Sequence, residues 1–503
     1  MRKKWICTAL LAGLMALAGC GNTTGKQGEE ASMPAATQTP FVPEVLGTYQ
    51  AEEAALAGNV KVTKDYVEGF QKAETDSCTF TVGVEKEGFY DLVFRLASTG
   101  GEKTNPVLVD GQAVGDIYVD QDYYTNSSIE RVWLTKGEHK ISVGVSWGWI
   151  ILDSLTVQTA APLPADLYEV KAKLINPKAN DDAKRLMSFL VDMYGEKILS
   201  GQYCEDGAYG KEMQVIQNVT GKQPAILGMD LMDYNGVNQR HGSNMNLPTK
   251  VKAFWEKGGI VTLCWHWNTS EEYARKEWWG TFYTDSTTFS LAKAMNGQDQ
   301  AGYDMLMKDI DNIVQPLLEI QEAGIPILFR PLHEASGGWF WWGASGPEVY
   351  KQLWVLLYDK LTNEYGLNNL IWVWNGQAAD WYPGDEYVDI MGEDIYPGEK
   401  VYTSQATKYL EVAGYSTERK MVYLTENGCI FDPELALRDG AMWGMWGTWQ
   451  GEFVRKTTSM TAKLSEQYTE EYMMKKAYDH EAVITLDEMP DLKKYPISKS
   501  FNK

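Results

Sequence analysis

An alternation of strand-like and helix-like segments over residues 180–503 limits the fold more than any other feature of the chain. Eight short apolar segments recur there, and amphipathic stretches with helical spacing separate most of them. Eight such β–α repeats predict a (β/α)8 TIM barrel. The predicted strands are Lys197–Tyr203, Gln223–Tyr234, Gly258–Asn268, Ile325–Glu334, Asn369–Asn375, Val388–Tyr396, Met421–Gly428 and Ala441–Trp449.

Residues 43–158 have a different pattern, in which apolar and polar residues alternate. The stretches 78–84, 88–96 and 140–145 show this period of two, with Gly, Asn and Asp turns between them. Alternation of this kind predicts an antiparallel β-sandwich. The expected fold is therefore multidomain, with an N-terminal β-sandwich, a proline-containing linker over 159–179, and the barrel.

The first residues have the pattern of an export signal. Arg2, Lys3 and Lys4 precede an uncharged run, Trp5–Ala18, that is too short to span a bilayer. The run ends in Leu-Ala-Gly-Cys20, which resembles a bacterial lipobox. We expect 1–19 to be a signal peptide, 20–42 to be a lipidated Cys20 and linker, and the protein to be exported and lipid-anchored at the bacterial cell surface. An ordinary signal peptide with an incidental cysteine is the alternative.

Charge and cysteine spacing exclude several classes of partner. The formal net charge of −22 disfavours nucleic acid and anionic lipid, whereas a neutral polysaccharide meets no electrostatic penalty. We expect no nucleic-acid partner, no membrane contact beyond the lipid, and a monomer. The cysteines after Cys20 are isolated, which disfavours a zinc site. We expect buried free thiols; a disulfide between two of Cys204, Cys264 and Cys429 is the alternative.

Two predicted strands on opposite sides of the barrel end in a glutamate. Strand four ends in His333-Glu334, shortly before the aromatic run 339–342, and strand seven carries Glu426 near its end. Functional groups of barrel enzymes lie at these strand ends. Two carboxyl groups about 5 Å apart are what a retaining glycosidase needs, and an apolar wall raises a carboxyl pKa toward that of a general acid. Glu426 could instead form an ion pair with Arg330.

Further polar side chains at strand ends have two readings each. His266 and Trp267 end strand three, where His266 could bind a sugar hydroxyl or cap the strand. Asp394 and Tyr396 point to one side of strand six, so Tyr396 could donate to a carboxylate while Asp394 is either structural or direct. His333 could be a packed core histidine. Glu393 points to the opposite side of strand six.

Residues 180–492 resemble glycoside hydrolase family 26. The matching motifs are 330–343, Asp394-x-Tyr396, Glu426–Gly428 and 482–487. The resemblance implies that Glu334 is the acid/base and Glu426 the nucleophile, with His333 and Tyr396 in support. It also implies a stacking wall at Trp339 and a platform at Trp449, for which Trp443 and Trp446 compete. From their places at the strand ends, we expect His266, Trp267, Arg330 and Asp394 to bind substrate.

The same resemblance implies an activity. We expect a retaining endo-β-1,4-mannanase that hydrolyses β-mannan, glucomannan or galactomannan and needs no cofactor for catalysis. A related β-glycanase acting on mixed-linkage β-glucan or β-1,3-xylan is one alternative. A non-catalytic surface glycan-binding lipoprotein is the other.

The N-terminal segment resembles carbohydrate-binding modules of families 35 and 6. The resemblance lies in Tyr49–Glu52, Gly88–Leu92, Leu134–Ile141 and Ile151–Val157. It implies a structural Ca²⁺ with Glu52 and Asp153 among its oxygen ligands. Trp147 and Trp149 are candidate sugar platforms, with core packing of one of them equally open. A sandwich that serves only as a spacer is the alternative.

Overall fold

The computed structural model of the protein describes residues 41–502. The predicted signal peptide, 1–19, and the lipidation site, Cys20, lie outside the described residues. From Pro43 onward the chain forms one compact unit. In the described part of the chain, no helix has the length and apolar character needed to cross a bilayer.

The N-terminal part is a sandwich of two antiparallel sheets, as the alternating pattern predicted. One sheet has the order β3-β4-β11-β6-β9 with β1 also paired to β11, and the other has the order β2-β5-β10-β7-β8. Its strands are β1 (Val45–Gln50), β2 (Ala55–Ala57), β3 (Lys61–Thr63), β4 (Tyr66–Glu68), β5 (Ser77–Val84), β6 (Gly88–Ser98), β7 (Lys103–Val109), β8 (Gln112–Val119), β9 (Thr125–Leu134), β10 (Gly137–Val143) and β11 (Ile150–Thr159).

The sandwich core forms where the alternating residues of both sheets face inward. On β5 the side chains of Cys78, Phe80, Val82 and Val84 are buried, and every second residue points outward. Phe80 meets Phe94 of β6 across the core, with ring centroids 6.5 Å apart. Burial of these side chains from both sheets supplies the main stabilising term for the module.

Eight parallel strands close into the predicted barrel. All eight are shorter than the predicted segments and lie inside them. The barrel strands are β13 (Gly201–Tyr203), β14 (Ile226–Asp230), β15 (Ile260–Cys264), β16 (Ile327–Arg330), β17 (Leu370–Trp374), β18 (Ile390–Ile395), β19 (Val422–Asn427) and β20 (Trp446–Thr448). A small parallel pair, β12 (Ile198–Leu199) and β21 (Val483–Ile484), lies outside the barrel. Because the strands are parallel, their carboxyl ends share one face of the barrel, where the predicted site residues lie.

Helices surround the barrel, with one exception between β17 and β18, where 3₁₀ turns make the connection. The helices are α1 (Asp181–Met193), α2 (Lys211–Thr220), α3 (Gly236–Arg240), α4 (Leu247–Glu256), α5 (Leu291–Met295), α6 (Gln300–Glu322), α7 (Pro347–Tyr358), α8 (Ala406–Ala413), α9 (Pro433–Asp439) and α10 (Glu471–Asp479). Asn180 caps α1 by accepting a hydrogen bond from the backbone N–H of Ala183.

The segment 159–179 is packed against the barrel and does not form a free linker. Leu167 is buried, and the hydroxyl of Tyr168 donates to the carbonyl of Gly440 at 2.7 Å. The backbone N–H of Ile175 donates to Asp389 at 2.8 Å. Contacts of this kind tie the segment to the barrel, because each one pairs a polar group that packing against the barrel would otherwise bury without a partner.

The sandwich also contacts the barrel directly. The guanidinium of Arg438 in α9 lies over the ring of Trp133 in β9, 5.5 Å from its centroid. The side chain of Thr407 in α8 donates to the carbonyl of Glu130, also in β9. The module therefore meets the barrel along β9, away from Trp147 and Trp149, which are 61% and 55% exposed.

Candidate active site

Glu334 lies where the chain leaves β16, in a left-handed backbone conformation that residues other than glycine rarely adopt. Its φ is 53°, and Leu332 two residues earlier also has φ 53°. The N–H of Glu334 donates to the carbonyl of Asn375 after β17, at 2.9 Å. Left-handed residues cost about 1–3 kcal/mol each and persist where the surrounding structure fixes them, often at functional sites.

Glu426 lies on β19, and both of its carboxylate oxygens are hydrogen-bonded. The hydroxyl of Tyr396 donates to Oε1. The guanidinium of Arg330 donates to Oε2 at 2.6 Å, so the ion pair that the sequence left open is present. These two donors hold the carboxylate in one orientation. Tyr396 remains 43% exposed, so the pair borders the cleft.

Arg330 is fully buried beneath the carboxylates. It also donates to Oδ2 of Asp394 at 2.6 Å, and Tyr203 lies at 3.2 Å from its Nε. Asp394 has a fully buried side chain and accepts a second hydrogen bond from Thr425 at 2.7 Å. Arg330 and Asp394 were predicted to contact substrate, but both side chains are fully buried in this structure. Arg330 orients Glu426 from below, and Asp394 holds Arg330 in place.

Three carboxylates converge at the base of the cleft. Oxygen atoms of Glu334, Asp394 and Glu426 lie within 4.8 Å of one another. The guanidinium of Arg330 bridges two of them and supplies the positive charge that such a cluster needs. The short separation of Glu334 and Glu426 fits a retaining pair, in which one carboxylate attacks directly, better than the wider separation of an inverting pair.

The surroundings of the two glutamates give Glu334 a higher proton affinity than Glu426. Burial, followed by the charges of Asp394 and Glu426, raises the pKa of Glu334, and a hydrogen bond from Trp339 opposes the rise. Burial and Asp394 also raise the pKa of Glu426, but Arg330, the Tyr396 hydroxyl and His266 oppose this. More donors and cations surround Glu426, so the first proton binds Glu334. Two carboxyl groups with such unequal environments divide into an acid and a nucleophile.

His266 and His333 lie side by side under the cleft. Their Nε2 atoms are 3.2 Å apart, and Nδ1 of His266 lies 2.5 Å from Oδ2 of Asp230. His333 is 1% exposed and His266 is 8% exposed, and the ring of Phe340 packs against both. Core packing of His333, one of the two readings left open, is therefore present in this structure.

Trp267 does not line the cleft. Its side chain is fully buried, its ring stacks on Trp265 at 3.9 Å, and its indole N–H donates to Asp309 of α6 at 2.9 Å. Trp267 was predicted to contact substrate, but the chain after β15 turns its indole toward α6, and the side chain has no exposed surface in this structure.

Aromatic residues around the cleft divide into exposed and packed ones. Trp339 is 47% exposed, whereas Phe340, Trp341 and Trp342 are buried in the loop. A Cβ at Gly337 would lie 2.0 Å from the Trp339 ring, so only glycine permits this close approach.

The three tryptophans that could form the sugar platform near β20 also differ in exposure. Trp443 and Trp446 are fully buried, which removes both from competition. Trp449 is partly exposed and lies between Tyr203 at 4.9 Å and His266 at 5.7 Å. Of the three tryptophans, only Trp449 is partly exposed to solvent, and its ring lies beside His266 and Tyr203.

A cavity of about 710 Å³ lies beside Trp339. Trp279 and Tyr283, from the long connection after β15, also line it and are 59% and 44% exposed. These two aromatics and Asp230 were not among the predicted site residues. Asp230 could have been predicted from its position at the end of a strand. Trp279 and Tyr283 could not, because their positions depend on how the long loop after β15 folds.

Comparisons with known proteins agree with this geometry. Residues 175–478 match glycosyl hydrolase family 26, and residues 43–160 match carbohydrate binding module (family 35). The chain is 36% identical over 492 residues to a mannan endo-1,4-beta-mannosidase of Thermothelomyces thermophilus, covering 95% of this chain and 97% of that protein. It is 34% identical to mannan endo-1,4-beta-mannosidase B of Piromyces sp, covering 88% and 77%.

Solved structures give the same result. The crystal structure of a Podospora anserina GH26-CBM35 beta-(1,4)-mannanase superposes with a TM-score of 0.63 at 34% identity, over 89% of this chain and 99% of that one. The predicted family and fold class are therefore confirmed. The chain belongs to glycoside hydrolase family 26 and carries an N-terminal family 35 carbohydrate-binding module.

Proposed function

We propose that the protein is a retaining endo-β-1,4-mannanase that hydrolyses β-mannan, glucomannan or galactomannan. The observation that carries the proposal is the pairing of Glu334 and Glu426, whose oxygens lie within 4.8 Å and whose surroundings favour opposite protonation states. The relatives named as mannan endo-1,4-beta-mannosidases support the choice of substrate.

In the first step the protonated Glu334 donates its proton to the departing glycosidic oxygen. Glu426 attacks the anomeric carbon at the same time, which breaks the glycosidic bond and forms a glycosyl ester. Tyr396 and Arg330 hold the attacking carboxylate in place. In the second step Glu334, now a carboxylate, removes a proton from water, which attacks the same carbon and releases Glu426.

The exposed aromatics support the direction in which substrate binds. Trp339 forms a wall on the leaving-group side, and the cavity beyond it has room for further sugar units. Trp449 lies beside His266 and Tyr203 at the sugar that is cleaved. Flat aromatic faces suit the apolar faces of pyranose rings.

Two variants test the assignment of the glutamates. Glu426→Ala should lower the rate of hydrolysis by several orders of magnitude on β-mannan and on every other substrate. Glu334→Ala should lose hydrolysis of mannan but retain the first step with an aryl mannoside whose leaving group needs no proton, and azide should then accelerate product release as a glycosyl azide. Near-normal mannan hydrolysis by either folded variant would refute the assignment.

Activity of the purified protein on several polysaccharides tests the substrate. We expect mannan, glucomannan and galactomannan to be cleaved internally, with medium-sized products early in the reaction. Preferred cleavage of mixed-linkage β-glucan or β-1,3-xylan would favour a related β-glycanase. Binding without reducing-sugar release would favour a non-catalytic surface protein.

For the N-terminal module we propose glycan binding through Trp147 and Trp149. Both rings are exposed, and Asn105 orders their loop by accepting hydrogen bonds from the N–H groups of Ser146 at 3.1 Å and Gly148 at 2.9 Å. Trp147→Ala with Trp149→Ala should abolish retardation of the full chain in mannan-containing gels while soluble-substrate activity persists. Unchanged retardation would favour the spacer reading.

We also propose a structural Ca²⁺ in the module. Oε2 of Glu52 is buried without a hydrogen-bond partner, which fits a role as an oxygen ligand of a cation. Asp153 fits less well, because Arg95 already neutralises its carboxylate at 2.8 Å. We infer that Glu52 would be the principal carboxylate ligand, and that the ion would tie the first turn of the module to β11.

Export, lipid attachment at Cys20 and a monomeric state complete the proposal. The basic residues, the apolar run and the Leu-Ala-Gly-Cys20 sequence support lipidation. Labelled fatty acid should be incorporated into the wild type and lost in Cys20→Ala, with release of that variant from the membrane fraction. Sedimentation of residues 43–503 should give the mass of one chain.

A further inference from the structure

Asp230 is a buried carboxylate that the mechanism above does not use. It ends β14, and its side chain is 15% exposed. Its Oδ1 accepts hydrogen bonds from the backbone N–H groups of Met232 at 2.8 Å and His266 at 3.0 Å, while Oδ2 faces Nδ1 of His266 at 2.5 Å. Three contacts fix the carboxylate, so Asp230 has a single orientation toward the imidazole.

The other ring nitrogen of His266 faces His333. The two Nε2 atoms are 3.2 Å apart and the rings are 77° from parallel. Two nitrogens at this distance need one hydrogen between them, so one imidazole donates and the other accepts. Burial, followed by the charges of Arg330 and His266, holds the pKa of His333 well below its ordinary value. His333 therefore stays neutral, and an extra proton on the pair resides on His266.

We propose that Asp230 is a positioning residue that keeps His266 as an imidazolium, and that this cation, with Arg330, keeps Glu426 ionised for attack. In this arrangement Nδ1–H of His266 donates to Asp230 and Nε2–H donates to His333. The inference rests on the proposed role of Glu426 as nucleophile.

The charged groups around His266 support this arrangement. They are Asp230, Glu426 and Arg330; two further titratable groups nearby, His333 and the thiol of Cys264, are uncharged. Burial lowers the pKa of His266, but Asp230 and Glu426 outweigh this and the opposing charge of Arg330, and the pKa is raised. The His266 charge in turn opposes the rise in the pKa of Glu426, together with the larger effects of Arg330 and the Tyr396 hydroxyl. Rings of Phe282 and Phe340 flank the imidazole and exclude water, which strengthens the interaction.

The pH profile of Asp230→Asn tests the proposal. The acidic limb of kcat/KM reports ionisation of the nucleophile in the free enzyme. Without its counter-ion His266 loses its proton, so the limb should move to higher pH, by about one unit. Asp309→Asn is the matched control, because Asp309 is a buried carboxylate that holds Trp267 and not His266. A uniform loss of activity with an unmoved acidic limb would overturn the proposal.

A double variant shows whether Asp230 acts through His266. His266→Gln removes the cation and should move the acidic limb in the same direction. Adding Asp230→Asn to His266→Gln should then move it no further. An additional shift in the double variant would mean that Asp230 acts on Glu426 by another route.

A spectroscopic measurement on the unaltered full chain keeps the proposal testable if the variants fold poorly. With ¹⁵N-labelled histidine, the resonances of His266 should show two protonated nitrogens at pH 7, above the ordinary imidazole pKa of about 6.5. A neutral His266 at pH 6 would refute the proposal. This result is independent of the role of Glu426, whose failure would appear as an active Glu426→Ala variant.

Discussion

The indole N–H of Trp339 donates a hydrogen bond to Oε2 of Glu334 at 2.8 Å. The residue proposed as a wall for the leaving group thus also contacts the proposed acid. A donor at this position stabilises the carboxylate form, so it opposes the burial that raises the pKa of Glu334. It therefore favours the state in which Glu334 acts as a base, in the second half of the reaction.

Replacement of Trp339 by Phe should move the basic limb of kcat/KM to higher pH. The variant keeps an aromatic face but loses the donor, so protonated Glu334 persists to higher pH, by about 1–2 units for one hydrogen bond to a charged group. The pH dependence of mannan hydrolysis measures the shift. Trp279→Phe is the control, since Trp279 lines the same cavity. An unmoved basic limb in Trp339→Phe would contradict this role.

Replacement of Arg330 by Met should destabilise the barrel strongly. The change leaves Asp394 and Glu426 buried and close together with no cation, and breaking a buried ion pair from one side costs about 3–5 kcal/mol. Urea unfolding measures the loss. Arg330→Met combined with Asp394→Asn should regain part of the stability, because one of the two uncompensated charges is gone. A double variant as unstable as the single one would argue against this explanation.

The sequence located the two glutamates proposed as catalytic because barrel strands bring their carboxyl ends to one face. Glu334 and Glu426 could be placed from strand order alone. The orientation of their neighbours could not, since Trp267 turns toward Asp309 on α6, a partner 42 residues further along the chain. A local pattern does not encode such a contact. Similarly, the sequence around Arg330 does not show whether its side chain lies beneath the cleft or lines it.

The module shows the same limit. Alternation predicted its sheets, and the burial of every second side chain on β5 follows from that period. The contact between Trp133 and Arg438, by contrast, joins residues of two domains. The packing of segment 159–179 also depends on acceptors far along the chain, such as the carbonyl of Gly440.

A chelator should lower the melting temperature of the wild-type module if Glu52 holds Ca²⁺. An ion that binds only the folded state stabilises it by about 2.7 kcal/mol at one hundred times its Kd. Glu52→Gln should melt at a lower temperature and lose its response to chelator. Glu53→Gln, an exposed neighbour, should respond like the wild type. Scanning calorimetry of the full chain measures these melting temperatures. A wild-type melting temperature that does not change with chelator would refute the calcium site.

Glu393 should make the protein less stable as the pH rises. Its side chain points away from the cleft, is 4% exposed, and has one oxygen with no hydrogen-bond partner; Lys408 lies 3.9 Å from the other. Burial raises the pKa of Glu393 to about 8, although Lys408 opposes this.

The sign of the effect follows from proton linkage. The unfolded chain releases the proton near pH 4.3, while the folded protein retains it to about pH 8, so the folded state binds more protons between these values. The free energy of unfolding therefore falls through this window. Glu393→Gln cannot ionise, so its stability relative to the wild type should rise from pH 4.5 to pH 8 and then level off. Urea unfolding at several pH values measures the difference, and a constant difference across the window would show that Glu393 is already ionised in the folded protein.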